Sequence, residues 1–175
     1  MILTTACLAC GNAETPAPSA RLAPDFRLVD INLNSATSTQ EIGTTSFPGK
    51  VTAWFFCDTA STYYQSQFSR LDAMQIDLVA LVPIYVQLVG VNAAGDEAGG
   101  SVMTTGVSLP FLQDTSAVAA WSKWQAQSGS VYVLDSVRQV SWVDDLNQSD
   151  LTSASNYATL RDFIYAMISA EHPPS

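Results

Sequence analysis

The chain has 175 residues, 47% of them hydrophobic, and no internal repeat, which is enough to bury the core of one domain and gives no reason to divide it. Its 7 Lys and Arg stand against 16 Asp and Glu, a formal net charge of −9, and the cations are scattered, so a polyanionic backbone or an anionic membrane surface would be repelled. No nucleic-acid partner is therefore expected, and membrane contact only through an N-terminal lipid anchor.

Residues 1–22 begin with a short apolar stretch and turn small and polar, with two prolines, so they read as a leader and flexible tether rather than a core element. Cys7 and Cys10 each follow an alanine, and Gly11-Asn12 follow Cys10. This resembles a bacterial lipoprotein cleavage site and implies export to the periplasm or outer cell envelope, with Cys10 or Cys7 as the lipidated residue. No other segment approaches the roughly 20 apolar residues of a membrane span. The remaining cysteine, Cys57, has no thiol partner in the domain, residues 23–171, so no disulfide framework is expected there.

Within that domain, Phe26 to Asn32 alternates weakly and predicts an early strand. Val51 to Phe56 is a run of β-branched and aromatic residues bounded by Phe47-Pro48-Gly49 and Asp58-Thr59, which predicts a buried strand. From Ser61 the apolar spacing lengthens to Tyr64, Phe68, Leu71 and Leu78, one stripe of a helix with Ser61 as its N-cap, the serine oxygen accepting from a backbone N–H. Ile84 to Val91 predicts the second strand of a right-handed βαβ unit. Asn92 to Ser101 is Gly- and Ala-rich and reads as loop, without the spacing of a phosphate loop. Val118, Trp121 and Trp124 fall at helical spacing within 116–127, and an aromatic cage is weighed there against plain core. Val131 to Leu134 and Gln139 to Val143 predict a strand pair, and Asn156 to Ser169 a closing amphipathic helix. The single histidine, His172, sits beside two prolines without triad or ligand partners, so no catalytic role is expected of it.

A resemblance now runs through these segments in order. GKVTAWFF followed by QSQFSRLD is similar to the strand, CxxC and helix of thioredoxin-like and redoxin proteins, and Ala23-Pro24-Asp25-Phe26 resembles the entry of peroxiredoxin-type members. LPFLQD (Leu109 to Asp114) and VYVLD (Val131 to Asp135) look most like the selenoprotein P-like branch. The resemblance implies an α/β, thioredoxin-like fold, a central mixed β-sheet of about five strands flanked by helices. Counting back from Phe68, it puts the two CxxC positions on Ser61 and Tyr64, and the cis-proline region on Ser128, Gly129 and Ser130. It also implies glycine at Arg138, where the strand-pair turn favours positive φ.

Thiol–disulfide exchange needs a thiolate and a resolving thiol. Ser61 and Tyr64 supply neither. Alternation from Ala53 and Phe55 points Cys57 into a sheet face, where burial raises a thiol's pKa and makes it inert. The reading is a non-catalytic thioredoxin-fold module that binds a protein partner or small ligand, with Tyr63 and Tyr64 as contact area. The alternative is a thiol-dependent oxidoreductase or peroxidase-like enzyme acting through Cys57. No cofactor and no metal are expected.

Overall fold

The computed structural model describes residues 21–173, so Cys7 and Cys10 lie outside the described residues. In chain order the elements are β1 (Arg21–Leu22), β2 (Leu28–Val29), β3 (Glu41–Ile42), β4 (Val51–Cys57) and α1 (Thr62–Leu81). They continue with β5 (Val86–Asn92), α2 (Gly100–Met103), β6 (Phe111–Gln113), α3 (Ala120–Trp124), β7 (Ser130–Leu134), β8 (Gln139–Asp145) and α4 (Ala154–Glu171). Six strands make one mixed sheet in the order β1-β8-β7-β4-β5-β6, and β2 pairs β3 separately. β4 is central, parallel to β5 and antiparallel to β7. Arg21–Leu22, inside the stretch read as leader, pairs with Val140 and Gln139, which adds a sixth strand to the five expected.

All seven residues of β4 are buried because both faces are covered. Val51, Ala53, Phe55 and Cys57 face α1 and α4, against Phe68, Leu71, Met74, Leu78, Leu160 and Ile164. Trp54 and Phe56 face the other way, against Phe26, Trp124 and Leu134. Phe26 meets Trp54 edge-on at 5.4 Å and Phe56 lies 5.1 Å from Trp124, so of the two readings of the tryptophans Trp124 takes the core one. α1 ends where the Val82 N–H returns to the Leu78 carbonyl, one residue before Pro83, which can donate nothing.

Four elements differ from the sequence expectation, each for a local reason. The early strand shortens to Leu28–Val29 because the Asp30 carboxylate, fully buried, collects the N–H groups of Asn32 and Phe111 and the hydroxyls of Ser35 and Thr37, which bends the chain out of strand. The next strand begins at Val86, after Ile84 at φ +75° has interrupted the extended backbone. The 92–101 stretch contains a 3-10 turn, Glu97–Gly99, and runs into α2. The helix expected across 116–127 shrinks to Ala120–Trp124, bracketed by Ala119 (φ +51°) and Gln125 (φ +55°). There the buried Asp114 carboxylate accepts from the N–H groups of Thr115, Ala120 and Trp121, holding the helix start at a fixed point. Arg138 does adopt positive φ, +69°, in a turn held by the Asp135 carboxylate through the N–H groups of Val137 and Gln139.

Candidate functional site

The parallel strands deliver the chain to one end of the sheet, where β4 gives way to α1. Ser61 occupies the N-cap position with extended backbone (φ −106°, ψ 120°), as its place in the sequence requires. Its hydroxyl makes no capping hydrogen bond, which corrects the expected cap. The first turn closes through backbone alone, the Gln65 N–H donating to the Ser61 carbonyl at 3.3 Å. Ser61 is only partly buried, so water can serve the N–H groups that the hydroxyl leaves open.

The loop 128–130 comes against this helix start from the β7 side. The Asp58 N–H donates to Ser128 Oγ at 3.3 Å, and that hydroxyl donates to Asp58 Oδ2 at 2.6 Å. The Gly129 N–H donates to the Phe56 carbonyl at 2.8 Å, and Ser130 opens β7 opposite Asp145. Among the described residues no peptide bond is cis. Gly129 has φ +95°, which strains any other residue, and a Cβ there would sit 2.4 Å from Asn147 Nδ2 and displace that amide.

Asn147 ties the two halves of the site together. Its Nδ2 donates to the Ser128 carbonyl at 2.9 Å and to Asp145 Oδ1 at 2.8 Å, while its Oδ1 accepts from the Tyr64 hydroxyl at 3.0 Å. The Tyr63 hydroxyl donates to the neighbouring Leu146 carbonyl, and the two tyrosine rings meet edge-on at 5.5 Å. The structure thus links Tyr64 to the Ser128-Gly129-Ser130 loop through Asn147, with Ser61 at the N-cap of the helix that carries Tyr64. Asn147 and Asp58 belong to the same cluster without having been singled out. Nothing in the sequence marks an asparagine in the polar turn DLNQSD.

Cys57 ends β4, fully buried among the residues that face α1, and is a free thiol. Burial, with the Asp58 charge as a smaller contribution, pushes its pKa well above the ordinary 9.0, so the protonated, unreactive form is held at neutral pH. The Tyr63 phenol is also raised, by desolvation first and then by the Asp150, Tyr64 and Asp145 groups near it. The α1 N-terminus favours an anion at Ser61 by about 0.3–1 kcal/mol. The Asp150 and Asp145 charges that raise the Tyr63 phenol, two residues on, work in the opposite sense. His172 lies outside this cluster, stacked on Tyr85 with ring centroids 3.9 Å apart and its Nε2 3.2 Å from the Gly49 carbonyl oxygen. Among the described residues, no three His, Cys, Asp or Glu side chains are grouped to hold a metal ion.

No protein-family model and no curated protein matches the sequence. Solved structures do match. A chain from Chlorobium tepidum assigned as the thiol:disulfide interchange protein DsbE superposes with a TM-score of 0.67 at 16% identity, covering 85% of this chain and 96% of its own. Yeast Sco1 superposes with a TM-score of 0.66 at 17% identity, covering 93% and 100%. A secreted Mycobacterium tuberculosis disulfide oxidoreductase homologous to DsbE gives 0.56 at 14% identity, covering 83% and 95%. At these identities the likeness establishes the fold: a thioredoxin-like mixed sheet with flanking helices. Among the described residues no helix is long and apolar enough to cross a membrane.

Proposed function

We propose that this chain is a binding module on the thioredoxin-like fold, of the peroxiredoxin-like and selenoprotein P-like branch, in which the CxxC positions have become Ser61 and Tyr64. The observation that carries the reading is the Tyr64–Asn147–Ser128 bridge: the position of the resolving thiol is instead a phenol hydrogen-bonded across the site, and the sole thiol of the domain is buried. A partner would meet Tyr63, Tyr64 and the 128–130 loop as contact area. Amphipathic tyrosines at low entropic cost suit that role.

Thiol accessibility tests the reading. In the full chain with Cys7→Ser and Cys10→Ser, Cys57 is expected to stay unmodified by an aromatic disulfide reagent at neutral pH and to react fully in denaturant. Rapid stoichiometric reaction in the native state would instead support an oxidoreductase acting through Cys57. The Cys7/Cys10 leader favours an exported protein, in keeping with the secreted structural neighbour from Mycobacterium tuberculosis. Lipid attachment at Cys10 or Cys7 would send the native protein to the detergent phase on partition, and recovery of unlipidated protein with Met1 intact would refute it.

A further inference from the structure

A cavity of about 640 Å³ lies between the loop that follows β2 and the start of α2, beside the carboxyl ends of β5 and β6. Gln113 forms part of its wall, and both amide N–H groups of that side chain are engaged, donating to the carbonyls of Ala93 at 2.9 Å and Asp114 at 3.0 Å. A carbonyl only accepts, so this fixes the orientation of the amide. Its Oε1 then accepts from Asn92 Nδ2 at 2.7 Å, and the same Nδ2 donates to the Asp96 carbonyl at 2.9 Å. The hydroxyl protons of Thr104 and Thr105 are engaged as well, on the carbonyls of Gly100 and Ser101 at 3.0 Å each. One N–H of Asn34 goes to the Thr104 carbonyl at 3.3 Å.

What these side chains have left to offer is oxygen. Glu97 adds a carboxylate, the one charged side chain of the lining, and among the described residues no Lys or Arg lines the cavity. Arg27, in the adjoining cavity beyond Ile31, donates to the Glu41 carbonyl. Among the lining side chains the donors that remain are the Ser101 hydroxyl and the second N–H of Asn34, both on exposed residues where water reaches them. Behind Gln113, the side-chain Oδ1 of the buried Asn92 accepts from no donor. Ile31 and Leu33 make the apolar side, and Leu33 is 81% exposed at the rim.

An acceptor-rich wall with one carboxylate and an aliphatic flank selects against anions and in favour of a donor-rich cation with a carbon stem. A single carboxylate falls short of the ligand set a bare metal ion takes. We infer that this cavity binds an alkylammonium group, the charged head on Glu97 and the neighbouring oxygens and the stem against Ile31 and Leu33. The site is separate from the Tyr64–Asn147 bridge, and its occupancy does not depend on how that bridge is read.

The test is a chemical-shift titration of the full chain with 1,4-diaminobutane and with N-acetyl-lysine methylamide, and with succinate and butane-1,4-diol as the anionic and neutral counterparts. Saturable shifts at the lining residues are expected with the amines alone. The tighter of the two amines tells whether a free amine or a lysine side chain is the natural occupant. Glu97→Gln is expected to weaken amine binding at least about tenfold, and Asp162→Asn, the same change in net charge on α4, to leave it within about twofold. Absence of saturation by either amine up to about 10 mM, equal binding of succinate or the diol, or equal loss in the two variants would overturn the inference.

Discussion

Changing Ser61 and Tyr64 together to cysteine is expected to create insulin-type disulfide reductase activity, at least about tenfold above the wild-type background, while Ser61→Cys alone yields no turnover for lack of a resolving thiol. The geometry is already in place: position 61 is the N-cap of a 20-residue helix aimed from the end of the central strand, and position 64 lies one turn on. A cysteine at a helix N-terminus has its pKa lowered, into a range of roughly 3.5–7.5 in redox proteins. The gain here should fall at the weak end. The carboxylates of Asp145 and Asp150 that raise the Tyr63 phenol would act against a thiolate by the same field. Loss of the Tyr64 hydroxyl also removes one hydrogen bond to Asn147, about 1 kcal/mol, which the fold should tolerate. Inactivity of a folded double variant would mean that more than those two positions separates this site from thiol chemistry.

Phe68→Ala is expected to destabilise the protein by about 3–5 kcal/mol, measured as a fall in the urea midpoint at unchanged slope. Phe68 is fully buried where α1 meets the sheet, stacked on Phe55 at 6.4 Å and tilted against Phe111 at 5.1 Å. Gly90 makes that packing possible: a Cβ there would lie 2.7 Å from the Phe68 ring and 2.5 Å from the Phe111 ring. A cavity of phenyl size between Phe55 and Phe111 cannot close without moving α1, and with it Ser61. A loss under about 1 kcal/mol would show that α1 is positioned by something other than this contact.

The contrast between these residues and the rest explains what could be read in advance. β4 and α1 were legible because an uninterrupted apolar run and a helical stripe are each imposed by burial, and burial leaves its period in the sequence. Positions 61, 64 and 128–130 were singled out by resemblance to the thioredoxin-like motif, not by any pattern of burial. Asn147 was not, because its role depends on a contact with residues 19 and 83 positions away, and no local pattern encodes that. The length of α3 was hidden for a similar reason. Val118, Trp121 and Trp124 keep helical spacing, but Asp114 fixes where the N–H groups must point, and the backbone at Ala119 turns left-handed to comply. The donor balance of the Gln113 cavity likewise arises from pairings between β5, β6 and the 93–105 stretch, not from composition.

The most direct measurement is insulin-type disulfide reduction and peroxide consumption by the wild-type chain beside Cys57→Ala. A site whose reactive positions are a serine and a tyrosine, with its nearest thiol buried and held protonated, should give no activity above background in either protein. Disulfide reduction or peroxide turnover by the wild type, abolished by Cys57→Ala, would contradict the account and make Cys57 the nucleophile.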